Sequence, residues 1–188
     1  MAKASELEAS LIYPREVSLR NGESASLRLM KAGDRDSVLN FARSLPPDDL
    51  LFLRTDITEA KTIEAWIENL EEGTTISILA EVRGNLAGYA SLHTDGARWT
   101  RQIGEVRVQV GTGNRGVGLG KRLVGEIFRL GQDLGLKKMM ALMTPEQASA
   151  RAAFLGLGFR IEATLQDWVV DREGKSRDLI IMTLKCER

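Results

Sequence analysis

Apolar and polar positions alternate through three consecutive stretches in the middle of the chain, Ile76 to Val82, Leu86 to His93 and Ile103 to Val110. Period two is the signature of strands. Arg83-Gly84-Asn85 joins the first two and a loop holding Trp99 precedes the third, so the three read as an antiparallel meander. Ahead of them the period lengthens. Ile63, Trp66, Ile67 and Leu70 share one face of a helix from about Glu59 to Leu70, with Gly73 just past its end. An earlier helix is expected from Asp34, a candidate N-cap, through Ser44, closed by Pro46-Pro47. Earlier still, Val17 to Arg20 and Ser24 to Met30 flank Asn21-Gly22, a favoured two-residue hairpin turn.

Behind the meander, Leu119, Leu123, Val124, Ile127, Phe128 and Leu134 form one stripe of a helix from Gly118 to Leu134, ended by Gly135. Lys138 to Met143 is the next strand. Thr144-Pro145-Glu146-Gln147 has the form of a helix start, with Thr144 as N-cap, Pro145 at the first position and Gln147 closing a capping box; the helix reaches about Leu155. After Gly156-Leu157-Gly158-Phe159 comes a hairpin, Arg160 to Val170 and Arg177 to Leu184 around Asp171-Arg172-Glu173-Gly174.

Between the third meander strand and the following helix lies Gly111-Thr112-Gly113-Asn114-Arg115-Gly116-Val117-Gly118-Leu119-Gly120. A glycine-rich loop at a helix N-terminus presents unpaired N–H groups at the positive end of the helix dipole, which suits a phosphate. Gly111, Gly113 and Gly116 satisfy the G-x-G-x-x-G of dinucleotide folds, but that pattern expects an acid about 20 residues on. Lys137, Lys138 and Met139 stand there instead. The meander argues further against it, because a doubly wound fold would alternate strand and helix here. The triphosphate pattern G-x-x-x-x-G-K-[ST] also fails, with Arg115 at its first glycine and Arg122 at its hydroxyl position.

The pattern that remains is Arg115-x-x-Gly118-x-Gly120, and it resembles motif A of the GNAT superfamily of N-acyltransferases, whose Q/R-x-x-G-x-G/A loop wraps the pyrophosphate of acetyl-coenzyme A. The end of the chain resembles that family's motif B, with Ala150 and Gly158-Phe159 matching. Gln147 stands where the family usually has asparagine, and Phe154 where it usually has the tyrosine that protonates the departing thiolate. A phenyl ring cannot donate a proton. The resemblance implies an α/β (α+β layered) fold: a mixed, mostly antiparallel sheet of six to seven strands, helices on both faces, and a splay between the fourth and fifth strands. It covers nearly everything from Ser24 to Lys185, so residues 1–23 are expected as an N-terminal extension and 24–188 as the N-acetyltransferase domain.

The same resemblance implies the site. The cofactor-binding set is Val108, Gln109, Val110, Arg115, Gly116, Val117, Gly118, Leu119, Gly120, Lys121, Gln147 and Phe154, with a backbone N–H near Val108 to Val110 stabilising the oxyanion. Gln147 has a second role open to it, capping its helix. Glu105, opposite in parity to the neighbouring valines, is the first candidate for the catalytic base; pairing with Arg107 is the competing reading. His93, the chain's single histidine, is the second candidate. Tyr89 is the other tyrosine in the body of the fold and a candidate substitute for the missing proton donor. Lys121 and Arg122 could approach phosphates or simply be solvated, and Trp99 and Trp168 could line the acceptor pocket or fill the core.

Composition changes this picture only by exclusion. The chain has 188 residues, 43% of them hydrophobic, enough for one well-packed core. With 26 basic and 26 acidic residues its formal net charge is zero, which suggests no nucleic-acid or membrane surface. No apolar run nears the roughly 18 residues that span a bilayer and the start lacks a secretory apolar region, so the cytoplasm is expected. Cys186 stands alone, which leaves no disulfide framework and no cysteine metal cluster, and no metal is expected. The expected partners are acetyl-CoA as cosubstrate and a small-molecule or peptide amine; a homodimer is a candidate state.

Overall fold

The computed structural model describes residues 13–51, 53–97 and 99–186. Thirteen elements follow one another: β1 (Arg15–Ser18), β2 (Ser24–Leu29), α1 (Arg35–Arg43), α2 (Pro47–Leu50), α3 (Ala60–Glu71), β3 (Thr75–Val82), β4 (Asn85–Thr94), β5 (Ile103–Val110), α4 (Leu119–Asp133), β6 (Lys138–Met143), α5 (Ala148–Leu155), β7 (Arg160–Val170) and β8 (Ser176–Lys185). All strands join one sheet in the order β1-β2-β3-β4-β5-β6-β8-β7. Among the described strands only β5 and β6 pair in parallel.

The sheet has eight strands where six to seven were expected. The additional strand is β1, read from sequence as Val17 to Arg20 within the stretch expected as an extension; it runs Arg15–Ser18 and pairs with β2 from Arg15↔Leu27 to Ser18↔Ser24, so residues 19–23 join them where a two-residue turn at Asn21-Gly22 was expected. The part of that extension before residue 13 lies outside the described residues. β1 is held from outside the sheet as well: Arg15 Nη1 lies 2.7 Å from Glu126 Oε1 on α4, and the Tyr13 hydroxyl donates to the same carboxylate at 3.2 Å.

Two hydrophobic layers sandwich the sheet. On one face α1 and α3 press Val38, Phe41, Ile63 and Trp66 against Leu79 and Tyr89. On the other, Leu123, Ile127 and Leu130 of α4 meet Ala90, Leu92, Val106 and Met139, and Phe154 and Phe159 close that layer. β3 and β4 are therefore buried on both sides, and their apolar residues run almost without interruption.

Two helix starts differ from expectation. Asp34 occupies the N-cap position of α1 but makes no side-chain cap there. Its carboxylate instead takes the Lys31 N–H at 2.8 Å and the Arg28 guanidinium at 2.9 and 2.8 Å. These bonds close a short 3-10 turn, Ala32–Asp34, ahead of the helix. α5 begins at Ala148, not at Pro145, with Gln147 as its N-cap residue. The expected reach-back still forms, since Gln147 Oε1 accepts the Thr144 N–H at 3.0 Å. The one-turn helix α2 was not foreseen; Pro46-Pro47 reads as a helix stop, and Pro47 starts a new turn because its fixed φ suits a first helical position.

Candidate active site

Along β5, side-chain parity divides two environments. Val106, Val108 and Val110 pack toward α4. Glu105, Arg107 and Gln109 turn the opposite way, in register with His93, Ser91 and Tyr89 of β4. These six residues line a cleft of about 740 Å³, whose other walls come from the segment between α2 and α3, from α3, from the end of β6 with α5, and from β7. That volume suits a small ligand.

The cleft opens because β5 and β6 pair at three positions only, Ile103↔Lys138, Gly104↔Met139 and Glu105↔Met140. Beyond Glu105 the strands part, so the edge of β5 facing β6 presents main-chain groups to the gap. The expected splay is therefore present, between the fifth and sixth strands because β1 adds one at the front. Strand β5 ends in a 3-10 turn, Thr112–Asn114, and the glycine loop follows. Gly118 is the N-cap residue of α4, with φ 89°, and no side-chain hydrogen bond caps the first amides of this 15-residue helix; the Arg20 side chain packs beside Gly118. Gly116, with φ 75°, has open space where a Cβ would stand.

The charged residues lining the cleft are Arg54, Glu105, Arg107 and, at its rim, Asp171. Glu105 accepts from Arg54 Nη1 at 2.7 Å and from Arg107 Nε at 2.8 Å, and its side chain is only 14% exposed. Burial alone would raise its pKa; the Arg107 hydrogen bond and the charges of Arg107 and Arg54 outweigh that and hold it below the ordinary carboxylate range. Glu105 is thus an ionised anchor and a weak base. His93 sits between two hydroxyls, Thr75 Oγ1 3.0 Å from Nδ1 and Ser91 Oγ 2.8 Å from Nε2. Burial, reinforced by Arg107, brings its pKa down to about 4 despite Glu105, so the ring is neutral at pH 7. Tyr89 is 5% exposed; its ring meets Trp66 at 4.8 Å and Phe41 at 6.2 Å, both edge-on. Burial pushes its pKa up to about 12.

The rim is built from distant segments. Asp56, between α2 and α3, pairs with Arg172 in the β7–β8 turn. Asp171 fixes that turn by accepting the Glu173 and Lys175 amides at 3.0 and 2.9 Å. A bulge between Leu165 and Val169, with Asp167 at φ 49°, interrupts β7. Beside it Trp168 lines the cleft with two thirds of its surface exposed.

Of the site residues expected from sequence, Glu105, Val108, Gln109, Gln147 and Phe154 line this cleft together. Val110 packs against the core behind it. In the loop, Leu119 is buried and Val117 partly so, which leaves their main chain to face a ligand; the Val117 carbonyl accepts the Arg20 N–H at 2.9 Å. Gly120 packs near Val110. Arg115 does not lie over the loop amides: its Nε donates to the Val110 carbonyl at 3.1 Å and its guanidinium pairs with Asp49. Lys121 and Arg122 border a second, smaller cavity with Arg15 and Arg20. Phe154 is 3% exposed and meets Phe159 edge-on at 4.9 Å. Trp99, 91% exposed, neither fills the core nor lines the cleft.

Sequence reasoning missed Arg54 and the Asp56–Arg172 pair, which sit in loops without periodicity. Arg107 was readable as a cleft residue from its parity with Glu105. Among the described residues no helix is long and apolar enough to cross a membrane, and no three His, Cys, Asp or Glu side chains are grouped to hold a metal ion.

Comparison with known proteins agrees with this architecture. YwnH of Bacillus subtilis (strain 168), provisionally named a phosphinothricin acetyltransferase, is 24% identical over 158 residues, covering 84% of this chain and 96% of YwnH. The solved structure of yncA from Salmonella typhimurium, provisionally named an acetyltransferase and determined with its cofactor acetyl-CoA, superposes with a TM-score of 0.77 at 21% identity, over 87% of this chain and 95% of that one. The GNAT domain of S. lividans PAT gives a TM-score of 0.78 at 15% identity, over 93% and 98%. The sequence profile of the Acetyltransferase (GNAT) family matches residues 39–159, which take in the second half of α1, all of α3, the meander, the glycine loop and the Gly158-Phe159 ending. This chain belongs to the GNAT family of acetyltransferases.

Proposed function

We propose that this protein is a cytoplasmic enzyme that transfers the acetyl group of acetyl-CoA to the primary amine of a small acceptor, by direct attack in a ternary complex. The observation that carries the reading is the parting of β5 from β6 after Glu105, immediately before a glycine loop with an uncapped helix start. The residues fit the cosubstrate. Amides from Gly116 to Lys121 suit a diphosphate, the open edge of β5 from Val108 to Val110 suits a pantetheine arm, and Gln147 and Phe154 form the opposite wall. Bound there, acetyl-CoA supplies an electrophilic thioester carbonyl.

The chain's own groups handle the amine. An alkylammonium of pKa near 10.4 is neutral in about one part in a few thousand at pH 7, a penalty of roughly 4 to 5 kcal/mol. Glu105, ionised and lining the cleft, attracts the ammonium and passes its proton on through water. Main-chain N–H groups near Val108 to Val110 stabilise the oxyanion, an effect worth about 3 kcal/mol per donor in water-excluded sites. Arg54 and Arg107 together exceed the one charge of Glu105, and the cleft's other carboxylate, Asp171, is compensated by Arg177, so an acceptor carrying an anionic group besides its amine is favoured. Phosphinothricin, named for the B. subtilis relative, has that chemistry and is the first acceptor to try.

Titration calorimetry with acetyl-CoA, followed by thiol release across a panel of amines, tests the reading. Saturable binding with thiol release on at least one amine supports it, and no binding at high micromolar acetyl-CoA overturns it. Phe154 favours a second reading, a regulatory module that binds acyl-CoA without turnover. That module would bind the cosubstrate and release no thiol with any amine.

A further inference from the structure

We propose, resting on the acetyltransferase reading and narrowing it to a substrate class, that the acceptor is an amino acid with an aromatic side chain, and that this side chain lies on the exposed indole of Trp168. Trp168 lines the cleft with two thirds of its surface exposed, while the other aromatic residues there, Trp66, Tyr89 and Phe154, are buried. Each of those three meets another ring edge-on, and among the described residues no ring meets Trp168. It belongs to neither hydrophobic layer of the sheet. A large ring held in water forgoes the free energy that burial supplies, and an aromatic ligand recovers it with a stacking preference that an aliphatic one lacks.

The backbone holds the indole in this position. β7 pairs with β8 at Leu165↔Leu179 and next at Val169↔Arg177, four steps along β7 against two along β8, so two extra residues bulge out beside Trp168. Asp167, within the bulge, has φ 49°, and its N–H donates to Asp178 Oδ1 at 3.0 Å. A bulge re-aims a side chain, and a left-handed residue other than glycine persists only where contacts hold it. Two ion pairs then link the ring to the reacting groups: Glu105 accepts from Arg54 at 2.7 Å, and two residues on, Asp56 pairs with Arg172, four residues past Trp168. The cleft therefore has two zones. Its floor is ionic, with Glu105 for the ammonium and Arg54 and Arg107 for the carboxylate. Its rim is apolar, with Leu51, Leu53 and Val170 beside Trp168, and the charges there are already matched, Asp56 by Arg172 and Asp171 by Arg177. An amino acid bound by its charged end on the floor turns its side chain to that rim.

The test measures thiol release by wild type, Trp168→Ala and Trp168→Phe with acetyl-CoA and L-phenylalanine, L-tryptophan or L-alanine. In wild type kcat/KM for the two aromatic amino acids should exceed that for L-alanine by about tenfold or more, mainly through KM. Trp168→Ala should bring this ratio to within about twofold of one, and Trp168→Phe should restore most of it. A wild type without the preference overturns the proposal, as does a Trp168→Ala variant that keeps it. The indole N–H NMR signal of Trp168, identified by its loss in Trp168→Phe, reads binding independently of turnover. Saturating L-phenylalanine should shift that signal and L-alanine should not. If the signal shifts but no amine releases thiol, the acetyltransferase reading falls and aromatic binding at Trp168 stands; if thiol is released and the signal does not move, only the assignment of Trp168 falls. Sedimentation velocity checks the other possible cover: a dimer that Trp168→Ala converts to monomer would place the indole between two copies of the chain and overturn the proposal.

Discussion

His93 allows a pH prediction with little ambiguity, because it is the only histidine in the chain. Burial and Arg107 bring its pKa in the folded protein down to about 4, against an unfolded value of 6.5. The sign follows from proton counting. Between these values the unfolded chain binds a proton that the folded one refuses, so stability is complete above pH 6.5 and falls as pH drops toward 4. The full loss is the shift of about 2.5 units at 1.36 kcal/mol each, or about 3 kcal/mol, and about 2 kcal/mol of it is gone by pH 5. For a chain of this size that lowers the melting temperature by roughly 4 to 8 °C. Carboxylates held low by their partners, Glu105 among them, lose their contribution as pH falls through and below about 4.5, mostly outside this window. Urea unfolding at pH 7 and pH 5, on wild type and on His93→Gln, isolates the effect. Glutamine keeps a hydrogen-bonding group near Ser91 but does not titrate, so its stability should change little between the two pH values. An imidazole NMR titration with a midpoint at or above 6.5 would refute the reasoning, as would a glutamine variant that loses as much stability as wild type.

Three further outcomes follow from the same geometry. Gly118→Val should cost about 1–2 kcal/mol of stability through its left-handed φ of 89°, since a Cβ there meets Arg20 only at ordinary contact distance, 3.6 Å. It should also weaken acetyl-CoA binding by calorimetry, and unchanged affinity would remove the loop from the site. Gly88→Ala places a Cβ 2.7 Å from the Gln109 carbonyl oxygen and 3.3 Å from Val110 Cα; urea denaturation should show a loss of about 1–3 kcal/mol, and a value within about 0.5 kcal/mol of wild type would contradict the packing. Glu105→Gln should lower turnover at least about tenfold and alter its pH profile in steady-state assays. Its stability cost should stay below about 2 kcal/mol, because Arg54 is 62% exposed and solvent screens that half of the interaction. Wild-type turnover would assign Glu105 to structure alone.

Local chemistry made much of this molecule legible. The bounds of β5 and β6 match the strands expected at Ile103 to Val110 and Lys138 to Met143 residue for residue, the first because side chains on a pleated strand must take turns facing the core. The stripe of α4 was readable for the same reason, with a period of 3.6 residues. Helix starts were harder. Asp34 and Thr144 are good capping residues by type, but Arg28 captures the first and the chain delays helix formation three residues past the second. Capping is a competition for hydrogen bonds, and a guanidinium from a neighbouring strand is invisible in a local window. The tryptophans show the same limit: nothing in their surroundings separates Trp99, which ends in solvent, from Trp168, which a bulge in β7 sets at the cleft.

What the sequence by itself determined was the order of elements, the two apolar faces of the sheet, the glycine loop, and the parity that sends Glu105, Arg107 and Gln109 away from the valines. Each depends on residues within a turn or two of one another. What only the tertiary structure decided was the company those residues keep. Arg54 reaches Glu105 across 51 positions, Asp49 reaches Arg115 across 66, and Asp56 reaches Arg172 across 116. It also decided that the first strand runs Arg15–Ser18, that β5 leaves β6 after three pairs, and that Tyr89 is buried between Trp66 and Phe41 at the cleft. The physical reason is that short-range sterics fix which face a side chain occupies, while its pKa and its partners depend on charges and burial supplied by distant segments that only the packed chain brings together.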